Sequence, residues 1–328
     1  MRIYVSGSTG LVGSAVVKRL KEVGHEIIMS DYRYDLLDSN DLSNLSQGFE
    51  DFTPDMVIHC AGKVGGIKAN SLDNKGFLEQ NQQMGFNIIN TAKIAEVPYF
   101  INLASSCVYP INTDHPLKEE DFFKPDPVFE QTNIGYAIAK RAVACYLQAS
   151  YGVKGITAIP CNMYGIGDRY FEGSHIIPDL IQKFHTAKLF KEKEITLYGT
   201  GQQYREFMNS KDFAYIISEL VRGVERGGFF PAYLMNVRTH NEISTMELAT
   251  KVAATVGWSG TIKWSGGFSG VKRKPMSTEL AYSNHIINSS PVDLMEGLME
   301  QYLDYLKRFT HVQMYYETEG ERLLNREL

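Results

Sequence analysis

The stretch Ser6-Gly7-Ser8-Thr9-Gly10-Leu11-Val12-Gly13 decides the fold. It follows the short apolar run Ile3-Tyr4-Val5, which reads as a buried strand. Val12, Ala15, Val16, Leu20 and Val23 then recur at helical spacing, and Gly24 ends the helix. His25 to Met29 reads as a second strand, and Asp31 follows it. A glycine motif carries meaning in this order of strand, turn, helix, strand and acid. Gly7 permits a tight turn, Gly10 lets a pyrophosphate approach the backbone, and Gly13 lets the helix lie close on the sheet. Ser8 and Thr9 complete the turn, and Leu11 and Val12 begin the helix. The free N–H groups and dipole at that helix start favour phosphate. Asp31 lies eighteen residues beyond Gly13, where a carboxylate accepts from both ribose hydroxyls of NAD. Arg33 stands two residues on and can instead pair with the 2′-phosphate of NADP. Loop geometry chooses between them.

Working outward, Asp55 to Cys60 reads as a third strand and Ala61 to Ile67 as a glycine-rich loop. A helix is expected from about 81 to 96, a strand over Tyr99–Leu103, a helix over Ile134–Tyr151 and a strand over Gly155–Ile159. Residues 116 to 131 contain three prolines and read as a surface loop. Repeated strand–helix units with continuous apolar strands imply an α/β fold: a Rossmann-type parallel sheet covered on both faces. After Tyr164-Gly165 the pattern loosens. Helices are expected over Ile177–Phe190, Lys211–Val224, Ser244–Val256 and Asp293–Arg308, with strands at Ile195–Tyr198 and Tyr233–Val237. Ser244 and Glu247 have the spacing of a capping box. The expected division is a dinucleotide-binding domain over 1–165 and a smaller, discontinuous α/β substrate-binding domain over most of 166–328. Some segments of the second part return to the first.

The 328 residues are 44% hydrophobic and 22% charged, a composition that buries a substantial core. Thirty-three Lys and Arg against thirty-eight Asp and Glu leave a formal charge of -5, which disfavours a binder held by nucleic-acid phosphates. No apolar run reaches the length of a membrane span, and no basic leader with an apolar core opens the chain. Cys60, Cys107, Cys145 and Cys161 form no CxxC pair and no metal spacing. A reducing, cytoplasmic setting without a metal is expected.

Tyr136-Ala-Ile-Ala-Lys140 puts a phenol and an ammonium on one helical face. A nearby Lys⁺ lowers the pKa of a tyrosine, which can then exchange a proton with an alkoxide. Lys140 can also hold the nicotinamide ribose. A hydroxyl at the end of the preceding strand would polarise the carbonyl, and Ser105 and Ser106 are both available. Cys107, just beyond, is either a small buried residue or a thiolate base. His175, in Gly173-Ser174-His175-Ile176-Ile177-Pro178, is either a surface histidine or the matching acid.

The GxxGxxG spacing resembles the extended short-chain dehydrogenase/reductase family. Lys63-Val-Gly-Gly-Ile67, Ser105-Ser-Cys-Val-Tyr-Pro110, Tyr136 to Lys140, Asn162-Met-Tyr-Gly165, Ser174 to Pro178, Arg205-Glu-Phe207 and Arg273-Lys274 are similar to one branch of it, the GDP-4-keto-6-deoxymannose 3,5-epimerase-4-reductases. The resemblance favours Ser105 over Ser106 and implies Ser105, Tyr136 and Lys140 as reductase triad, with Cys107 and His175 as epimerase base and acid. It implies Lys63 or its loop at the enolate. Asn162, Lys183, Tyr198, Arg205 and Lys274 are implied around the GDP group. It further implies NADP(H), a GDP-sugar substrate, conversion to GDP-L-fucose, and a homodimer. Helices near 81–96 and 134–151 would form that interface, or have their apolar faces covered within one chain. Departures from the pattern are Ser8-Thr9 where a basic residue is frequent, Lys183 for an arginine, Lys211 in an expected acidic pair, and Ser277 for an aspartate. They leave open NAD(H) as cofactor, through Asp31, and a related substrate such as a GDP-4-keto-heptose. Another nucleotide-sugar reductase and a dinucleotide sensor without catalysis are the remaining readings.

Overall fold

The computed structural model describes residues 1–29, 35–111, 113–125, 127–170, 173–238, 242–267, 271–288 and 290–324, the last segment with side chains to 309. Asp31 and Arg33 lie outside the described residues.

The first half alternates strand and helix: β1 Arg2–Ser6, α1 Leu11–Glu22, β2 Glu26–Met29, α2 Ser39–Phe52, β3 Met56–His59, α3 Ile67–Leu72, α4 Asn74–Ile94, β4 Tyr99–Leu103, α5 Ile134–Ala149 and β5 Lys154–Pro160. Then come β6 Asn162–Tyr164, α6 Ile176–Leu189, β7 Glu194–Leu197, β8 Tyr204–Asn209, α7 Ser210–Gly227, β9 Leu234–Val237, β10 Glu242–Ser244, α8 Thr245–Val256, β11 Thr261–Trp264, α9 Glu279–Ser283 and α10 Leu294–Leu324. The central sheet has six parallel strands in the order β2-β1-β3-β4-β5-β9. Strand order reverses at β1, so the crevice beyond β1 and β3 is the expected ligand position. The Gly7–Gly13 turn and the glycine loop after β3 both open there.

Packing explains the apolar strands. Ile101 of β4 pairs with Ile156 of β5, and both are fully buried. Truncating either to Ala would destabilise the chain by about 2–5 kcal/mol. One face of the sheet packs on α1 and α7 through Val16, Leu20, Ile217 and Val221. The other carries α2, α4 and α5 through Leu45, Phe49, Ile88 and Val143. A further core joins α6, α8 and α10 through Ile181, Phe184, Leu248 and Leu298. Beside it lie the small sheets β10-β8-β6 and β11-β7. The chain therefore leaves the central sheet after β5 and returns with β9.

Several expectations change. The helix expected from about 81 begins at Asn74, because Asp73 caps it and accepts from Gly76 N. Residues 116–131 are not a surface loop: Leu117, Phe122 and Phe129 are buried, and Arg141 stacks over both phenylalanine rings. Helix α10 runs past the expected Arg308 to Leu324. Ser244 caps α8 by accepting from Glu247 N, whereas the Glu247 carboxylate faces Lys251.

Candidate active site

At the dinucleotide end, Gly7 has φ +64°, and a Cβ there would lie 2.7 Å from the Ala61 nitrogen. A Cβ on Gly13 would overlap the Gly7 carbonyl oxygen, so only glycine lets α1 begin this close to β1. Gly10 caps α1 without a side-chain bond, which leaves the first N–H groups facing outward. Thr9 is exposed, whereas Ser8 is buried and its Oγ has no hydrogen-bond partner among the described residues. An orphaned hydroxyl beside a bare helix start fits a dinucleotide phosphate.

Beyond β4, Ser105 opens a single 3₁₀ turn, Ser106–Val108. Its Oγ accepts from the Cys107 N–H at 3.4 Å, so hydroxyl and thiol share one turn. From α5, Tyr136 faces Cys107 of this turn, and Lys140 faces the end of β4 just before it. Lys140 is buried, donates to the Leu103 carbonyl at 2.9 Å, and lies 5.8 Å from the Tyr136 ring centre. Burial lowers its pKa to about 8. The same burial pushes the Cys60 thiol up to about 12, and burial together with Lys140 lowers His59 to about 3. Tyr136 departs from expectation. Its pKa is raised, by burial and by the negative charge of Cys107, because Lys140 is turned to Leu103 and does not offset the desolvation. A protonated phenol at neutral pH suits a proton donor.

Two glycines join this wall to His175. Gly66 N–H donates to the Gly173 carbonyl at 2.8 Å, and a Cβ on Gly65 would lie 3.3 Å from Phe77. Phe77 meets Tyr136 edge to face at 6.3 Å. The loop that carries His175 is thereby pinned against the wall behind Tyr136. His175 itself opens α6 with its side chain 41% exposed. Its Nδ1 is 4.0 Å from Oδ1 of the buried Asp168. Gln301 Nε2 donates to that carboxylate at 3.3 Å, tying the dyad to α10. Lys63 Nζ pairs with Asp73 at 2.5 Å and lies 5.3 Å from the Phe77 ring centre.

Two cations also face Cys107. Burial lowers the pKa of both Arg205 and Lys274, and in each the charge of Cys107 acts against that lowering. Glu130 faces the same two cations. Asn162 is exposed and donates to the Glu206 carbonyl at 3.0 Å, which anchors it beside Arg205. Not every expected residue joins the cluster. Lys183 is exposed on α6 and paired with Asp179 at 2.6 Å. Tyr198 is 74% exposed at the end of β7.

Three further residues of the site lie outside the sequence motifs. Asn133 donates to Cys107 Sγ at 3.1 Å; its place three before Tyr136 was the available signal. Asp168 lies behind His175, with no spacing to mark it. Asn81, a buried polar residue inside α4, brackets Lys63 by accepting from its N–H at 2.9 Å and donating to its carbonyl at 3.0 Å.

Residues 3–230 match the NAD dependent epimerase/dehydratase family. The chain is 36% identical to the GDP-L-fucose synthase of Azorhizobium caulinodans, over 79% of this chain and 82% of that one. It is 33% identical to GDP-L-fucose synthase 1 of Arabidopsis thaliana, over 93% of each. Among solved structures, MlghC, a GDP-mannoheptose C4 reductase from Campylobacter jejuni with NADP bound, superposes with a TM-score of 0.79. That alignment has 25% identity and covers 93% of this chain and 98% of that one. With most of its length matched both by the family and by these relatives, the chain belongs to the NAD dependent epimerase/dehydratase family.

Proposed function

We propose that the chain converts GDP-4-keto-6-deoxy-D-mannose to GDP-L-fucose, as a 3,5-epimerase and a 4-reductase in one pocket. The observation that carries this reading is the Ser106–Val108 turn. It carries Cys107 one turn from the Ser105 hydroxyl, which accepts from the Cys107 backbone N–H; Tyr136, Arg205 and Lys274 face the same thiol, and Lys140 is held at the end of β4. The names of the relatives support the GDP-sugar.

The C4 ketone acidifies the protons on C3 and C5. Cys107 removes each as thiolate, and His175 returns one to the opposite face. Lys63 or its loop holds the enolate oxygen. NADPH, when bound, supplies the hydride for C4. Tyr136 donates the proton that completes the C4 hydroxyl, and Ser105 donates a hydrogen bond to that oxygen. Lys140 holds the nicotinamide ribose. Arg205 and Lys274 receive the diphosphate, Asn162 bonds phosphate or sugar, Lys183 adds charge once freed from Asp179, and Tyr198 lines the guanine pocket.

Gly7 to Gly13 would hold the dinucleotide pyrophosphate. Arg33 would favour NADP and Asp31 NAD. We assign residues 1–165 to dinucleotide binding and most of 166–328 to substrate binding, with β9 returning to the first part. The α4–α5 face is the proposed homodimer interface. No described helix is long and apolar enough to cross a membrane. All four cysteines are free thiols, as a reducing, cytoplasmic setting would keep them.

A GDP-4-keto-heptose is the second reading, favoured by the likeness to a GDP-mannoheptose C4 reductase. Turnover of the two ketosugars by the full chain with NADPH, with products read by NMR, separates them. GDP-L-fucose as the preferred product supports the proposal. Turnover of the heptose alone would replace it.

A further inference from the structure

Asn133 stands at the residue that opens α5, with φ −133° and ψ 27°. Asparagine there ordinarily turns its side-chain oxygen onto a backbone N–H of the first helical turn. No such bond forms here. The Gly135 N–H is taken instead by Asn74 Oδ1 at 3.0 Å. The Asn133 amide is released from capping, and its Nδ2 donates to Cys107 Sγ at 3.1 Å.

We propose that Asn133 is the positioning residue of Cys107, aiming the sulfur and favouring its thiolate. This rests on the reading of Cys107 as base. An amide N–H can only donate, and a donor binds an anionic sulfur more strongly than a neutral one. The other groups facing the sulfur act through space: Tyr136 from α5, Arg205 from β8 and Lys274 from the segment after β11. Glu130, before α5, opposes the two cations. Those cations favour negative charge in the pocket without fixing where the sulfur points. The Asn133 bond supplies that direction. Without it the Cys107 side chain is free to turn about its χ1 bond, and a thiolate turned aside abstracts no proton.

The test is the pH profile of iodoacetamide alkylation of the full chain, quantified on the peptide containing Cys107. Reading that peptide alone excludes the exposed Cys145. Asn133→Ala and Asn133→Ser are compared with the unaltered chain. Serine caps helices as well as asparagine does, but its shorter side chain withdraws the donor from the sulfur. In both variants the midpoint should rise by about one unit, a roughly tenfold slower alkylation below it. A role confined to the conformation of the helix start, which serine also adopts, would leave Asn133→Ser at the original midpoint and shift only Asn133→Ala. That result, or two unchanged midpoints, would overturn the assignment. No substrate enters the measurement, so a shifted midpoint supports Asn133 even if Cys107 proves not to be the base. An unchanged one rejects Asn133 even if Cys107 is.

Discussion

Gly66 and Ser174 touch backbone to backbone: a Cβ on Gly66 would overlap the Ser174 carbonyl oxygen. This contact docks the glycine loop after β3 onto the loop that ends in His175. Gly66→Ala would push the loops apart, at about 1–3 kcal/mol of overpacking. His175 should then be displaced while the dinucleotide turn stays intact. Solvent exchange at C3 and C5 should fall, with NADPH affinity unchanged in a fluorescence titration. Undiminished exchange would show that the contact does not position His175.

Ser8 offers a cleaner probe of the cofactor end. Its buried Oγ makes no hydrogen bond among the described residues, so Ser8→Ala removes nothing from the free protein. Thermal stability without cofactor should be unchanged or slightly higher. NADPH binding should weaken by about 0.5–1.5 kcal/mol, one neutral hydrogen bond. Equal affinity for the variant would place the phosphates elsewhere.

Lys140 makes stability depend on pH. It titrates at about 8 in the folded chain against its ordinary 10.5. Between those values the unfolded chain holds more protons, so stability rises with pH across that window. Below pH 8 the burial penalty on the ammonium is present in full. Lys140→Met should flatten the profile between pH 8 and 10.5 in denaturant titrations. A variant that keeps the same slope would place its origin in another group.

Asp168 lies 4.0 Å behind His175 and is held by Gln301. Asp168→Asn keeps the shape and removes the charge that orients the imidazole. Exchange should slow by about tenfold, equivalent to 1.4 kcal/mol. Reduction of an already epimerised ketone should keep its rate. Equal loss of both activities would mark Asp168 as a support of the loop only.

The strand–glycine–helix order of residues 3–29 was legible because each step has its own period and its own turn chemistry. Tyr136 and Lys140 were legible for the same reason: helical spacing alone puts them on one face. Phe122 and Phe129 were not, since their burial depends on Arg141 from a distant helix, and the intervening prolines imitate a surface loop. The raised pKa of Tyr136 was also hidden. Spacing places Lys140 nearby, but only the fold turns its ammonium to Leu103. Lys183 showed a charge where a diphosphate ligand was expected, and its partner Asp179 becomes visible only on the folded helix.

The central claim is that one pocket performs two chemistries with separable residues. The most direct measurement is a time course in deuterated water with GDP-4-keto-6-deoxy-D-mannose and NADPH, comparing the unaltered chain with Cys107→Ser. The unaltered chain should give GDP-L-fucose deuterated at C3 and C5. Cys107→Ser should lose that exchange by about 10²–10⁴-fold, the contribution of a positioned base, while still reducing a ketone supplied already epimerised. Full deuteration by Cys107→Ser, or reduction by the unaltered chain with no deuterium at either carbon, would contradict the account.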